Sequence, residues 1–260
     1  MIITAIVVLG VLGFIFAALL ALAADYFKVD EDRRIVEIVA VLPGINCGAC
    51  GAGGCHDFAA QVAKGEMSAS GCVVGGESVA KKVAAIMGTI SQTIKRNVAV
   101  VHCGADKTKR QLKANYHGVQ TCLAADLVDN GGLKCAYGCL GFGDCMKICS
   151  YDAIVVENGL AKIDSAKCTA CNKCIIICPR KIISLRPAEF AVMIACSSRD
   201  NGAETRQNCP VGCLACKICE KEVPTVFKVV NNLAEIEYSK TGVDCKKAIE
   251  KCPTRCIWQS

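Results

Sequence analysis

The cysteines between residues 168 and 178 are the side chains best suited to chemistry in this chain. They follow the pattern Cys-x2-Cys-x2-Cys-x3-Cys-Pro, the spacing of a bacterial-type iron–sulfur ligand run. The first three thiolates of such a run bind one [4Fe–4S] cluster and the fourth binds a second, so a partner run is required. Zinc is the alternative, but a zinc ribbon pairs two Cys-x2-Cys knuckles and needs no trailing Cys-Pro. The pattern therefore predicts iron–sulfur clusters.

The C-terminal half of the chain repeats its cysteines at an offset of 74 residues. Alternating β-branched residues around Asn/Gly turns recur as well, and they predict hairpins at 154–163 and 226–236. We therefore expect two small α+β, ferredoxin-like modules in tandem, at 135–186 and 187–260. The matched cysteines are Cys122 and Cys196, Cys135 and Cys209, Cys139 and Cys213, Cys145 and Cys219, and Cys178 and Cys252.

The two copies differ at cluster ligands. In the second copy Val223, Gly242 and Ala248 replace three thiols of one cluster, so that cluster is predicted to be lost. In the first copy Phe142 occupies the position of Cys216, so one cluster needs a substitute ligand. We predict that Cys135, four residues before Cys139, supplies it.

A third cysteine pattern precedes the modules, in a loop rich in glycine. Its spacing is Cys-x2-Cys-x4-Cys-x16-Cys, and glycines let the backbone bring N–H groups onto the sulfurs. A phosphate-binding loop is the competing interpretation, but the Lys-Ser/Thr that should follow is absent. We expect a small helical [4Fe–4S] domain at 26–95, with helical periodicity over 76–94. A connecting segment at 96–134, opening with a strand at 97–101, would follow.

Together these patterns predict four [4Fe–4S] clusters and sixteen ligands among the 22 cysteines. The remaining six are interpreted as buried free thiols, although Cys103 and Cys122, with Cys196 and Cys209, are an alternative ligand set for a further centre. Cys245 and Cys256 complete the six. The predicted ligand sets are Cys47, Cys50, Cys55 and Cys72; Cys135, Cys139, Cys145 and Cys178; Cys149, Cys168, Cys171 and Cys174; and Cys213, Cys216, Cys219 and Cys252.

Residues 2–24 form an uncharged apolar run about 35 Å long as a helix, enough to cross a bilayer. A cleaved signal peptide is the alternative, but the run has no basic residues before it and exceeds the usual apolar length of such peptides. We expect one transmembrane helix at 1–25. Lys28, Arg33 and Arg34 follow it, so the positive-inside rule places the bulk of the chain in the cytoplasm.

The formal net charge of +6 would favour an acidic partner if every cysteine stayed neutral. Each four-thiolate [4Fe–4S] centre carries about −2 when oxidised, so four of them bring the total to about −2. The chain also has no compact Lys/Arg run with interleaved aromatic residues. We therefore predict no nucleic-acid partner.

The order of these parts, over essentially the whole chain, resembles the B subunit of the Rnf-type ion-translocating electron-transport complex. The resemblance implies a subunit of a complex in the cell (inner) membrane that accepts electrons from reduced ferredoxin. It also implies relay to partner subunits and NAD or another acceptor, coupled to Na⁺ or H⁺ export. The specific matches are Asn46-Cys47-Gly-Ala-Cys50-Gly, Gly138-Cys139-Leu-Gly-Phe-Gly-Asp-Cys145 and Cys252-Pro-Thr-Arg-Cys256-Ile.

The sequence contains no dinucleotide-binding loop and no acid–base constellation. We therefore expect a non-catalytic electron-transfer subunit, with catalysis and ion transport in its partners. An iron–sulfur subunit of a corrinoid methyl-transfer enzyme is the alternative, but the chain is too short to add a barrel and a cobalamin domain. A redox-sensing or structural metal protein is a second alternative, and it would show no electron flux to a partner.

Overall fold

A computed structural model describes residues 2–26, 32–90, 96–240 and 242–259. The first element is the helix α1, Ile2–Tyr26. Its segment 6–23 has a mean hydropathy of 2.9, and none of that segment is buried within the chain. By length and composition α1 is able to cross a membrane.

The next described residues form three helices around a small apolar core. They are α2 (Arg33–Val41), α3 (Cys55–Ala63) and α4 (Gly76–Met87). Ile38, Phe58 and Val83 bring one buried side chain from each helix to this core. The helix predicted to reach residue 94 ends earlier, because Gly88 adopts the left-handed conformation (φ 65°) that closes helices. Ile90 therefore lies outside α4 and is exposed, and residues 91–95 fall outside the described part of the chain.

Two units of similar element order follow. The first unit begins with a strand, carries a central hairpin and short helices, and ends with a strand; the second repeats this plan. The first comprises β1 (Asn97–Val101), α5 (Cys122–Leu127), a 3-10 turn (Asp129–Gly132), α6 (Asp144–Lys147), β2 (Ile154–Glu157), β3 (Leu160–Ile163), α7 (Lys173–Ile177) and β4 (Ile183–Pro187). The second comprises β5 (Val192–Ile194), α8 (Gly202–Asn208), α9 (Ile218–Glu222), β6 (Phe227–Val230), β7 (Leu233–Ile236), α10 (Lys246–Glu250) and β8 (Ile257–Gln259).

Each unit is closed by pairing its first strand with its last. β1 runs antiparallel to β4, with Val101 opposite Ile183, and β5 runs antiparallel to β8, with Ile194 opposite Ile257. The strand predicted at 97–101 is confirmed. Its pairing shows that the segment 96–134, predicted to be a connection, contributes an edge of the first unit.

The two predicted hairpins are also confirmed, as β2–β3 and β6–β7. Asn158 and Gly159 join the first pair with φ angles of 47° and 72°, and Asn231 and Asn232 join the second with 47° and 61°. Positive φ at both central residues defines the two-residue turn whose twist matches antiparallel strands. These residues therefore fix the register of each hairpin.

The thiols are part of the apolar cores of the two units. In the second unit, Val223 and Ala248 replace Cys149 and Cys174 of the first, and both are buried with Phe227. Side chains therefore fill the region that the lost thiols would have lined. This packing agrees with the loss of one ligand set from the second unit.

Candidate iron–sulfur sites

The helical domain brings its four cysteines, Cys47, Cys50, Cys55 and Cys72, together as site 1. All four line one cavity. Burial raises the pKa of the Cys72 thiol, and the charges of Cys55, Cys50 and Cys47 act in the same direction. The four thiols of site 1 therefore face one another across a shared cavity.

The loop of site 1 is held by side chains that bond to its backbone. Asn46 Oδ1 accepts the N–H of Cys55 at 2.7 Å, and Asp57 Oδ2 accepts the N–H of Gly53 at 2.8 Å. Both bonds lie at the start of α3. They fix the Gly-rich segment between Cys50 and Cys55 without placing a side chain into the cavity.

Site 3 consists of the cysteines expected from the first motif, Cys149, Cys168, Cys171 and Cys174. Burial raises the pKa of Cys174 to about 12, and the charges of Cys168, Cys171 and Cys149 contribute in the same direction. The Cys168 sulfur accepts the backbone N–H of Ala99, on β1, at 3.3 Å. The guanidinium of Arg96 holds the same loop through the carbonyls of Ser165 and Ala166.

Site 2 differs from the expected set by one cysteine. The cavity that contains Cys139, Cys145 and Cys178 is lined by Cys122, and Cys135 lies in a different cavity. Burial raises the pKa of Cys145 to about 12, and the charges of Cys139, Cys122 and Cys178 add to this effect. Site 2 is therefore defined here as Cys122, Cys139, Cys145 and Cys178.

Two hydrogen bonds hold Cys122 against the rest of site 2. Thr121 begins α5, and its hydroxyl accepts the N–H of Ala124 at 3.2 Å. Asp144, the residue before Cys145, accepts the backbone N–H of Cys122 at 2.8 Å. Its carboxylate thus ties the start of α5 to the start of α6 and places two thiols of site 2 beside each other.

Site 4, in the second unit, comprises Cys213, Cys216, Cys219 and Cys252, as expected. Burial raises the pKa of Cys219 to about 11, together with the charges of Cys213, Cys216 and Cys252. Cys256 also lies here, with its sulfur 3.7 Å from that of Cys252. Cys216 is exposed, so site 4 reaches the protein surface.

Each of sites 1 to 4 offers four thiols, the donor set that a [4Fe–4S] cluster takes. A tetrahedral zinc site with Zn–S bonds of about 2.3 Å holds its sulfurs about 3.8 Å apart. Within the described ranges, no three His, Cys, Asp or Glu side chains converge closely enough to hold one metal ion. The thiols of site 1 line one cavity, and those of site 2 line another. A [4Fe–4S] cluster, whose four irons each take one thiolate, fits this arrangement.

Backbone N–H groups point at equivalent sulfurs of sites 2 and 4. Cys139 accepts from Gly141 and from Ala161 on β3, and Cys213 accepts from Ala215 and from Ala234 on β7. Such bonds are one of the ways in which a protein tunes cluster potential. Each hairpin therefore supplies a backbone N–H donor to a cysteine sulfur.

Spacing along the chain did not identify Cys122 as a neighbour of site 2. Cys122 lies 17 residues before Cys139, whereas Cys135 lies only four residues before it. The repeat gives no signal either, because Cys196, the match of Cys122, lines a cavity that contains none of the site 4 cysteines. The hydrogen bond from the Cys122 N–H to Asp144 is what places Cys122, rather than Cys135, beside Cys145.

Two family models match the chain. One, described as "Putative Fe-S cluster", covers residues 42–74, the region of site 1. The other, a 4Fe-4S binding domain, covers residues 161–184, which include Cys168 to Cys178. The thiol sets and these matches define an iron–sulfur protein that carries one apolar helix long enough to span a membrane.

Curated relatives identify the family more closely. The chain is 40% identical over 252 residues (96% of this chain, 75% of the relative) to the B subunit of the Na(+)-translocating ferredoxin:NAD(+) oxidoreductase complex of Acetobacterium woodii. It is 38% identical to the B subunit of the proton-translocating ferredoxin:NAD(+) oxidoreductase complex of Clostridium ljungdahlii (96% and 90% coverage). The B subunit of the ion-translocating oxidoreductase complex of Methanosarcina acetivorans is 34% identical (98% and 97%). The chain belongs to this family, the B subunits of Rnf-type ion-translocating oxidoreductase complexes.

Proposed function

We propose that this chain accepts electrons from reduced ferredoxin and relays them through [4Fe–4S] clusters to partner subunits of a membrane complex. NAD or another compound is the final acceptor, and the partners couple the transfer to Na⁺ or H⁺ export. Two relatives are named as subunits of ferredoxin:NAD(+) oxidoreductase complexes, one translocating Na⁺ and the other protons. The chain itself is the non-catalytic electron-transfer subunit of the complex.

The observation that carries this proposal is the sequence of neighbouring thiol sets. Burial raises the pKa of the Tyr151 phenol, and charges from both site 3 (Cys171) and site 1 (Cys47 and Cys72) act in the same direction, which supports the closeness of these two sites. Site 3 adjoins site 2, because Cys174 is among the charges that raise the pKa of Cys145. Cys139 and Cys145 of site 2 also share one buried cluster with Cys168 and Cys174 of site 3. Neighbouring thiol sets support a route for electrons rather than isolated structural centres.

Each cluster supplies a centre that takes up one electron and gives it up again, with no atom transferred. The residues of the chain hold the ligands and adjust the surroundings. Asn46 and Asp144 fix the ligand loops of sites 1 and 2, and backbone N–H groups face the sulfurs. The buried thiols release their protons when iron binds, so cluster binding stabilises the folded units.

We propose the following organisation. α1 crosses the membrane once and leaves the rest of the chain in the cytoplasm, where reduced ferredoxin is available. The two C-terminal units are ferredoxin-like modules in tandem, supported by their repeated element order and by hairpins at equivalent positions. The first holds sites 2 and 3, and the second holds site 4. The helical domain holds site 1.

Rapid anaerobic mixing of the purified membrane complex with reduced ferredoxin tests this function. We expect the visible absorption of the clusters to bleach, with fast reoxidation only when the other subunits and their acceptor are present. In the double variant Cys171→Ala/Cys174→Ala, the clusters that receive electrons through site 3 should no longer bleach. Cys245→Ala, which lies outside the four sites, should bleach as the wild type does. Clusters that ferredoxin leaves oxidised in the wild-type complex would contradict the proposal.

A further inference from the structure

Four cysteines outside sites 1 to 4 surround one buried cavity. The cavity is lined by residues of both C-terminal units. Its polar lining is small, and its cysteines come from both units. These four, Cys103, Cys135, Cys196 and Cys209, form the fifth thiol set.

The members of the fifth thiol set are close to one another. Burial raises the pKa of Cys135 to about 11, and the charges of Cys209 and Cys103 act in the same direction. Burial likewise raises the pKa of Cys209, with a contribution from Cys103. Cys196, whose pKa burial raises to about 12, also feels the charge of Cys135.

The four thiols come from comparable places in the two units. Cys103 and Cys196 each follow the first strand of their unit by two residues, and Cys135 and Cys209 are equivalent in the 74-residue repeat. Every sulfur accepts backbone N–H groups. Cys139 donates to Cys103, Cys213 and Ser198 donate to Cys196, Tyr137 donates to Cys135, and Val211 and Gly212 donate to Cys209.

We propose that Cys103, Cys135, Cys196 and Cys209 bind a further [4Fe–4S] cluster between site 2 and site 4. The set has the same features as those sites: four thiols, a shared cavity and N–H donors aimed at sulfur. A single metal ion fits less well, because no three such ligands among the described residues approach one point. The cofactor would also join the two units across their interface.

This location would connect site 4 to the other sites. Cys139 belongs to site 2 and lines the same cavity as the fifth thiol set, and Cys213 of site 4 donates its N–H to Cys196. The proposed cluster would take one electron from one neighbour and pass it to the other, with no atom exchanged. The proposal deepens the relay described above, but its test is metal content and does not depend on ferredoxin.

Metal and acid-labile sulfide analysis of the full-length chain, purified anaerobically in detergent, tests the fifth thiol set. We expect about 20 irons and an equal amount of sulfide per chain, against about 16 if only sites 1 to 4 are filled. The double variant Cys135→Ala/Cys209→Ala should lose about four irons, or a fifth of the total. Cys245→Ala, which removes a buried thiol outside all five sets, should lose none.

A variant that combines substitutions in the fifth thiol set and in site 2 distinguishes this proposal from the alternative in which Cys135 is a site 2 ligand. Adding Cys122→Ala/Cys145→Ala to the first double variant should remove about eight irons in total if the two sets hold different clusters. Losses that do not add would overturn the proposal. Wild-type iron near 16, with or without a bound zinc ion, would also overturn it, and this measurement requires no variant to fold.

Discussion

The backbone N–H of Cys139 donates a hydrogen bond to the Sγ of Cys103, with 3.4 Å between nitrogen and sulfur. Cys139 belongs to site 2, and Cys103 lies two residues beyond the end of β1. Both side chains are buried. A residue of site 2 thus donates a hydrogen bond to a thiol of the fifth thiol set, so the two sets are in direct contact.

The assignment of Cys122 to site 2 leads to a direct comparison of variants. Cys122→Ala should weaken or remove the EPR signal of one [4Fe–4S] cluster, because its thiol lines the cavity of Cys139, Cys145 and Cys178. Cys135→Ala should leave that signal in place. The measurement is EPR of the dithionite-reduced chain, with Cys245→Ala as the control. Loss of the site 2 signal in Cys135→Ala, but not in Cys122→Ala, would restore the assignment made from sequence spacing.

Phe58 and Phe227 offer a matched test of whether the helical domain and the last unit have separate cores. Each ring is fully buried, Phe58 beside site 1 and Phe227 in the core around site 4. Either Phe→Ala change should cost about 3–5 kcal/mol, enough to unfold a small domain. We expect Phe58→Ala to lose site 1 and Phe227→Ala to lose site 4, as followed by iron content and EPR. Loss of all clusters in both variants would show that the domains unfold together.

Alanine substitutions at Gly141 and Gly44 distinguish the cost of backbone strain from the cost of a steric clash. Both have positive φ, 79° and 71°, but a Cβ on Gly141 would overlap the carbonyl of Gly159, whereas one on Gly44 meets nothing within 4 Å. Gly44→Ala should cost about 1 kcal/mol. Gly141→Ala should cost about 3 kcal/mol and loosen the loop between Cys139 and Cys145. The denaturant concentration that bleaches half the visible absorption measures the difference, and equal midpoints would contradict this account.

The orientation of the chain can be tested with a C-terminal epitope tag. Lys28, Arg33 and Arg34 follow α1, so we expect the tag on the cytoplasmic side. Protease should remove it from inverted membrane vesicles and leave it intact in spheroplasts. Placing three acidic residues at these positions should weaken the preference. Digestion of the wild-type tag in intact spheroplasts would contradict the proposed orientation.

Local patterns predicted the local structure well. The Asn158-Gly159 and Asn231-Asn232 turns marked both hairpins, and strand β1 fell at 97–101. These features depend on a few adjacent residues whose φ angles or alternation decide the outcome. The helix from Gly76 was predicted too long, because Gly88 ends it before the last apolar residue of the periodic pattern.

Contacts between distant segments were harder to predict. The closeness of Cys122 to Cys145 depends on Asp144, whose carboxylate receives the N–H at the start of α5. The pairing of β1 with β4 joins residues more than 80 positions apart. Neither leaves a periodic signal in the sequence, since spacing records only what is near along the chain. Cys139 and Cys145, which lie within one run, line one cavity as expected, whereas Cys135, predicted as the substitute ligand, lines another.

Iron and acid-labile sulfide analysis of the full-length chain, taken anaerobically from membranes, tests most directly whether these thiols hold iron–sulfur clusters. With sites 1 to 4 filled, the account predicts at least about sixteen irons per chain, an equal amount of sulfide and a brown protein. About eight irons or fewer, or zinc in place of iron in a colourless chain, would contradict it.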